Sequence, residues 1–439
     1  MHYWTSETLI DDASMQVVDP ETWGPRFPLA AHGSMGIERA RPLNLQTPIV
    51  EAGQPVATIC VPEGEAGMAV GERLAAAIEE RTGARPEVTA DAEALVGRDS
   101  TIIALGNLNN NFVIERLYWN KYVNIDAQAP GAGRYVLQVV HEPYNWPTGM
   151  NILVVGASDA DGLEAGVDEL ISRIPQGNEW AVEGPMLEVS GVEQLEGEAA
   201  QAILDQPVGI DITQRFWEAV RSYRDTGQIV WAERAKQILL GPAAERYARD
   251  PHFHITWPEE TTSNMIGAMW DVVEEAPVWT DEERMLASNV ILNTLYVLPA
   301  RTSGYGAIES NPGIIWNHTT FPLIGMYWMA RWFDRYYGDV DSQVSVILNK
   351  CRHAFMNQSR SWKPQEDSAG YVSIVPRHTI DYTLAENDYV YFENGSVLRH
   401  AEYEVGFCDN TGDAAGFGDN GYGRVPYANN LHWALWYYR

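Results

Sequence analysis

The feature that most constrains this chain is a change of hydrophobic period near residue 195. Before that point short apolar runs alternate with amphipathic segments, and after it apolar residues recur at helical spacing. YVLQVVH (135–141) and NILVVGAS (151–158) are typical of buried strands, and residues 159–174 are typical of a helix capped by Asp159 or Asp161. The sequence therefore predicts a multidomain chain in which an α/β sandwich domain precedes an all-α domain.

Three segments follow from this pattern. Residues 1–45 are polar, contain proline and show no period, so we expect an N-terminal arm there. Residues 46–195 are expected to form the α/β domain, and residues 196–439 the helical domain. Two further strands are expected in the α/β domain, at 55–62 and 100–106, and two further helices, at 67–83 and 109–119.

The helical domain contains at least six amphipathic segments. They cover residues 211–227, 229–241, 262–277, 280–298, 318–337 and 341–358. Thr280 and Glu283 are predicted to form a capping box at the start of the fourth segment. Helices of this number joined by variable loops are typical of an α/α toroid or a large bundle. After Trp362 the sequence predicts aromatic loops and one last helix. Because LHWALWYYR ends in a helical pattern without a cap, we expect an incomplete toroid, truncated before a further domain.

Composition limits the partners of the chain. The 439 residues include 60 acidic and 30 basic ones, and a net charge of −30 repels nucleic acid and anionic membranes. The chain contains no run of 18 apolar residues, so we expect no membrane partner. The three cysteines, Cys60, Cys351 and Cys408, lack metal-ligand spacing. An anionic substrate remains possible where basic residues line one cleft.

The segment Trp316-Asn317-His318 is the most specific candidate site. It follows a glycine-rich stretch (304–313) and precedes an apolar, aromatic helical segment, so it is expected at a loop-to-helix junction. An amide beside an imidazole at such a junction could hold an acidic substrate and remove a proton from it. The alternative is that Asn317 caps the helix and His318 belongs to the core.

Other residues could line the same cleft. Arg301, Arg377 and His378 could bind an acidic group. The aromatic candidates are Trp270, Trp316 and Tyr305, and Asn264 lies in a turn at a helix start. The alternative for these residues is a role in the core or at a helix end. We expect no metal and no cofactor.

The helical half resembles the catalytic toroid of the heparinase- and alginate-lyase-type polysaccharide lyases. In that family an Asn-His pair begins a toroid helix and a tyrosine follows a few dozen residues later, as Asn317, His318 and Tyr371 do here, with Tyr371 53 positions after His318. The resemblance implies that Asn317 neutralises a uronate carboxylate, that His318 is a base or a carboxylate partner, and that Tyr371 is the general acid or acid/base. It also implies a C-terminal β-sandwich and a secreted or periplasmic location.

A second resemblance covers about residues 48–175. YVLQVVHEP and NILVVGASDADGLEAGVDEL are similar to parts of the accessory α/β domain at the N-terminus of α-glucuronidases. This resemblance implies a carbohydrate enzyme whose chemistry lies elsewhere in the chain.

These observations lead to one expected function and two alternatives. We expect a polysaccharide lyase that cleaves a uronic-acid-containing polymer, of the glycosaminoglycan or alginate class, by β-elimination. A glycoside hydrolase of the same toroid class would instead use a carboxylate pair, for which Asp271, Glu309, Glu366 and Asp367 are candidates. A glycan-binding protein without catalytic activity would keep the aromatic cleft alone.

Overall fold

The computed structural model describes residues 36–208, 212–243, 265–308, 317–338, 342–362, 371–414, 416, 423–424 and 429–438. An N-terminal α/β region with mixed sheets is followed by a helical region, so the predicted succession of fold classes is confirmed. In the part of the chain that is described, no helix combines the length and the apolar character that a bilayer span requires.

A six-stranded mixed sheet forms the centre of the α/β region. Its strands are β3 (Ala57–Cys60), β4 (Glu87–Thr89), β5 (Thr101–Gly106), β6 (Tyr135–His141), β7 (Asn151–Ala157) and β9 (Leu187–Val189). Their order in the sheet is β4-β3-β5-β7-β6-β9. The first four are mutually parallel, whereas β6 is antiparallel to both β7 and β9. The runs that predicted strands at 100–106, 135–141 and 151–158 are therefore confirmed.

A smaller sheet was not expected from the sequence. It consists of β1 (Gln46–Glu51), β2 (Gln54–Pro55) and β8 (Trp180–Glu183), in the order β2-β1-β8. The single strand predicted for residues 55–62 is divided between β2 and β3. The side chains of Ile49, Trp180 and Val182 pack into the same apolar core as the six-stranded sheet.

Three helices cover the two faces of the large sheet. They are α1 (Glu65–Thr82), α2 (Phe112–Trp119) and α3 (Ala160–Ser172). Helices α1 and α3 share one apolar core with the sheet, and α2 shares the core on the other face. The Asp159 side chain caps α3 by accepting the backbone N–H of Gly162, so of the two predicted caps Asp159 is the one observed.

The helical region begins at Gly197, within the predicted helical domain, and contains eleven helices among the described residues. They are α4 (Gly197–Leu204), α5 (Ile212–Thr226), α6 (Ile229–Ile238), α7 (Ile266–Val273), α8 (Asp281–Arg301), α9 (Asn317–Tyr336), α10 (Ser342–Gln358), α11 (Ile374–Ala385), α12 (Val390–Glu393), α13 (Ser396–Gly406) and α14 (Asn429–Tyr437). The predicted capping box of Thr280 and Glu283 is present at the start of α8. The prediction of loops after Trp362 is wrong for α11, α12 and α13.

Helix α9 lies at the centre of the helical region. It contacts α7, α8, α10 and α11, and 14 of its 20 residues are buried. Gly267 of α7 allows a close approach to α9, because a Cβ built on Gly267 would lie 2.5 Å from the carbonyl carbon of Trp328. Most aromatic side chains of this segment therefore lie in the hydrophobic core.

The two regions meet through a buried polar interface. Arg41 donates to Glu274 at 2.7 Å and to Glu275 at 2.9 Å, so the end of the segment predicted as an arm contacts the turn after α7. Arg331 of α9 donates to the side-chain oxygen of Asn120 at 2.7 Å, and its guanidinium lies 3.9 Å from the ring centre of Tyr144. These contacts fix α9 relative to the sheet.

The close approach of α7 to α9 gives the first prediction. We expect Gly267→Ala to lower the free energy of unfolding by about 1–3 kcal/mol, because the added methyl group meets the backbone of α9 rather than a movable side chain. Urea unfolding followed by circular dichroism measures this change. Gly406→Ala is the matched control, since a Cβ at Gly406 in α13 meets nothing within 4 Å. Equal stability of the two variants would contradict the close packing.

Candidate functional site

The predicted catalytic residues lie at the N-terminal ends of two neighbouring helices. The Thr320 hydroxyl of α9 lies 3.3 Å from Nδ1 of His378 in α11, and further along the Tyr327 ring lies 5.0 Å from that of Tyr382. The Tyr327 hydroxyl then donates to Glu386, just after α11, at 2.7 Å. Because these contacts advance along both helices together, α9 and α11 are parallel and begin at the same end.

Asn317 and His318 form the first turn of α9. The Asn317 side-chain oxygen accepts the backbone N–H of His318 at 2.8 Å. The Thr319 hydroxyl donates to the carbonyl of Ser303 at 2.8 Å, which ties this turn to the segment after α8. Both Asn317 and His318 are half-buried, so the imidazole is not sealed in the core. Asn317 is thus the first residue of α9, and its amide oxygen accepts a backbone N–H of the same turn, while residues 309–316 lie outside the described part of the chain.

Tyr371 lies in the turn that leads into α11. It is half-buried, and its carbonyl accepts the backbone N–H of Ile374, the first residue of the helix. Because α9 and α11 are parallel, this turn is at the same end of the helix pair as Asn317 and His318. The backbone of Tyr371 is therefore tied to the first residue of α11.

A buried cluster supports the turn of Tyr371 from behind, and the sequence analysis did not identify it as such. The Asn430 amide donates to the carbonyl of Ser373 at 2.9 Å and lies 3.3 Å from the Glu404 carboxylate. His400 and Glu404 are in contact at 3.0 Å between Nε2 and Oε1. The i, i+4 spacing of His400 and Glu404 was the only signal, because Asn430 is brought in by α14 from far along the chain.

The structure corrects the assignment of His378 as a cationic substrate-binding residue. The side chain is 1% exposed and packs against the Phe321 ring at 4.6 Å. Burial, and then the charge of Arg377, lowers the pKa of His378 to about 3. The imidazole is therefore neutral at neutral pH and cannot pair with a carboxylate. Arg377 itself is half-buried and stays a candidate for that role.

The structure also corrects the assignment of Trp270 as a wall of the cleft. Its side chain is completely buried, with ring centres of Trp279 at 5.1 Å and Trp332 at 6.2 Å. A ring without exposed surface cannot stack on a sugar, so Trp270 belongs to the core. Tyr305 is half-buried and has the ammonium of Lys350 4.6 Å from its ring centre. It follows Ser303 by two residues, so it stays close to the start of α9.

Several predicted positions fall where the structure gives no side chain. Trp316 and Asn264 lie outside the described residues, as do the carboxylates Glu309, Glu366 and Asp367. Arg301 ends α8, but its side chain is outside the described part. These predictions therefore remain predictions.

Asp271 is the one hydrolase candidate whose surroundings are described. Its carboxylate accepts a hydrogen bond from the Tyr122 hydroxyl, at the interface of the two regions. Burial raises the pKa of Asp271, which the bond from Tyr122 and the charge of Arg41 oppose. The neighbouring carboxylates Glu274 and Glu275 are engaged by Arg41. This group holds the interface together beside the C-terminal end of α9, away from the N-terminal ends of α9 and α11.

The helix ends offer one coherent set of chemical groups. An amide, an imidazole and a phenol lie at the N-termini of two parallel helices, where the backbone dipoles place partial positive charge. Such an end favours an anion, and Asn317, His318 and Tyr371 can donate or accept protons there. Among the described residues, no three His, Cys, Asp or Glu side chains converge as metal ligands.

The burial of His378 predicts a pH dependence of stability. Because the pKa of His378 in the folded protein is about 3 and its ordinary value is 6.5, the folded state binds fewer protons than the unfolded state between these values. The contribution of the neutral imidazole to the free energy of unfolding is fully present above about pH 6.5 and is lost as the pH falls towards 3. At pH 5 the loss is about 2 kcal/mol. We expect His378→Gln to reduce the stability difference between pH 7 and pH 5 by that amount.

Urea unfolding at the two pH values measures this difference. His353→Gln is the matched control, since His353 is an exposed histidine of α10 and its loss should leave the difference unchanged. An undiminished difference in His378→Gln would show that the buried imidazole is not responsible.

Comparison with known proteins adds no family to this description. No protein-family model matches the chain, and no curated protein matches it. The chemistry of the site therefore has to follow from the position of Asn317, His318 and Tyr371 at the N-terminal ends of α9 and α11.

Proposed function

We propose that this chain is a polysaccharide lyase that cleaves a uronic-acid-containing polymer by β-elimination. The observation that carries the proposal is the position of Asn317-His318 and Tyr371 at the same end of the parallel helices α9 and α11. The substrate class is a glycosaminoglycan or alginate, and the reaction needs no cofactor.

The reaction demands three groups at one place. The hydrogen on C5 of a uronate is removable only if the adjacent carboxylate is neutralised, because negative charge then spreads into that group. The Asn317 amide and the positive ends of α9 and α11 supply this neutralisation. The C5–H bond breaks, a double bond forms between C4 and C5, and the bond from C4 to the leaving oxygen breaks.

Two groups then share the proton transfers. Tyr371 gives a proton to the leaving oxygen, as the general acid. The C5 proton goes to His318 or to the Tyr371 phenolate, depending on which face of the sugar carries it. Where Tyr371 performs both transfers, His318 is a partner of the carboxylate. Both side chains are half-buried, so each still reaches solvent at the start of its helix.

The proposal extends to the architecture and the location of the protein. The helices α5 to α14 would form part of an α/α toroid whose cleft lies at the ends of α9 and α11. A C-terminal β-sandwich would close this cleft from the other side. Secretion or a periplasmic location would bring the enzyme to its polymer.

Removal of the proton-transfer groups tests the proposal. We expect His318→Ala and Tyr371→Phe each to lower the rate of cleavage of alginate or a glycosaminoglycan by roughly 10²–10⁴-fold, since acid–base groups contribute about that much. The rate is measured as the ultraviolet absorbance of the unsaturated uronate that elimination creates. Reducing ends formed without this absorbance would identify a hydrolase, and neither signal would leave only glycan binding.

Two substitutions elsewhere control for unspecific effects. His353→Ala removes an exposed imidazole of α10, and Tyr135→Phe removes a phenol of the α/β region. Both variants should keep the wild-type rate. Full activity of His318→Ala and Tyr371→Phe would refute the assignment of the site.

Asn317 permits a separation of its structural and chemical roles. Asn317→Asp keeps an oxygen that accepts the His318 N–H and replaces the amide donor by a negative charge. We expect this variant to unfold at the wild-type urea concentration but to lose at least roughly 10²-fold in kcat/KM, because it repels the substrate carboxylate. Asn317→Ala should lose activity and also about 1 kcal/mol of stability. An active Asn317→Asp would mean that Asn317 only caps the helix.

A further inference from the structure

We propose that the carboxyl edge of the six-stranded sheet binds a neutral saccharide, at a site separate from the ends of α9 and α11. This site is formed by the α/β region together with α14 of the helical region, and it goes beyond the lyase function. Two adjoining cavities at this edge form it, a polar pocket and an aromatic groove.

The strand order creates a crevice at this edge. The chain passes from β3 through α1 to the neighbouring β4, and then crosses back to β5 on the other side of β3. The loops that follow β3 and β5 therefore diverge, and open α/β sheets bind their ligands at such a point. Helices α1 and α2 both begin there, directly after the loops.

The polar pocket occupies this crevice. It has a volume of about 860 Å³, within the range of small-molecule sites. Its wall comes from the loops after three parallel strands and includes the charged or amide side chains of Glu63, Asp91, Glu93, Asn109, Asn110, Asn111 and Glu115. Every charged side chain in this wall is a carboxylate. An anionic ligand, including a uronate, would be repelled.

The start of α1 adds hydrogen-bond donors to these acceptors. Gly64 precedes α1 with a φ of 97°, and no side chain caps the helix, whereas the side chain of Asn111 caps α2. Backbone N–H groups at an uncapped N-terminus need acceptors. A ligand that accepts from N–H groups and donates to carboxylates fits both features, as sugar hydroxyls do. An ammonium ligand only donates, so it would leave the N–H groups at the start of α1 without an acceptor.

The aromatic groove adjoins the polar pocket. The two cavities share Leu108 and Asn109 as a common wall, and the groove has a volume of about 590 Å³. Its aromatic side chains are Tyr118, Trp119, Trp433 and Trp436, and polar side chains from Asp126, Gln128 and His432 complete it. Flat apolar rings beside planar polar groups match the apolar faces and the hydroxyls of a pyranose.

Glu115 connects the two cavities. It lines the polar pocket, and its carboxylate accepts the indole N–H of Trp119, whose ring lines the aromatic groove, at 3.4 Å. The Tyr389 hydroxyl donates to the same carboxylate. Burial raises the pKa of Glu115, an effect that these two hydrogen bonds oppose. One saccharide of several units could therefore contact both cavities across Leu108 and Asn109.

Calorimetric titration of the full chain tests the proposal. The probes are cellohexaose, xylohexaose and mannohexaose as neutral saccharides, trigalacturonate as an acidic one, and spermidine as a cation. We expect saturable binding of at least one neutral hexasaccharide and a roughly tenfold loss of affinity in Trp433→Ala, which removes a stacking ring. Asn109→Ala, which changes only an exposed side chain of the shared wall, should weaken the same binding.

Two further variants make the outcome specific. Trp217→Ala removes a half-buried indole of α5 and should bind as the wild type does. Tyr371→Phe should also bind normally, so loss of lyase activity and loss of this site are distinguishable. The proposal is overturned if no neutral hexasaccharide binds, if trigalacturonate or spermidine binds more tightly, or if Trp433→Ala and Asn109→Ala leave the affinity unchanged.

Discussion

The buried ion pairs between Arg41, Arg284 and the carboxylates of Glu274 and Glu275 hold the two regions of this protein together. Glu274 is completely buried, and Arg41 and Arg284 lie 2.7 Å and 3.3 Å from it. Burial raises the pKa of Glu274 to about 7 against the opposing charges of Arg41 and Arg284. Removal of one partner from such a pair leaves an uncompensated buried charge, which costs about 3–5 kcal/mol. Any other relative arrangement of sheet and helices would separate these buried ion pairs and would therefore be less stable.

Helix α9 carries this constraint to the candidate site. Its C-terminal half contacts the α/β region, because Arg331 binds Asn120, and Arg335 and Tyr336 donate to the carbonyl of Glu142. Its first turn bears the amide and the imidazole that we assign to catalysis. The sheet thus fixes the axis of the helix at whose other end we propose the chemistry, although none of its described residues contributes a group to that end.

The sequence predicted elements with a strong period and missed those that depend on distant contacts. Strands β6 and β7 and the capping box of α8 were predicted because local pattern determines them. Helix α11 was missed because Pro376 and its β-branched residues weaken the helical signal, and burial against α9 decides its conformation. The same limit explains His378 and Trp270: a residue type indicates a possible ligand contact, whereas only the packing shows that both side chains face the core.

The distribution of cations explains how an acidic chain could still handle an acidic sugar. The buried guanidinium groups of Arg41, Arg284 and Arg331 are used at the interface, so they are not available to a substrate. At the ends of α9 and α11 the positive potential comes instead from backbone dipoles and an amide, with Arg377 half-buried nearby. Neutral donors of this kind bind a carboxylate more weakly than a bidentate arginine does. Their hydrogen bonds become stronger, however, as negative charge develops on the carboxylate during proton removal. A site built in this way would stabilise the transition state of the proposed elimination more than the bound polymer, which is the requirement for catalysis.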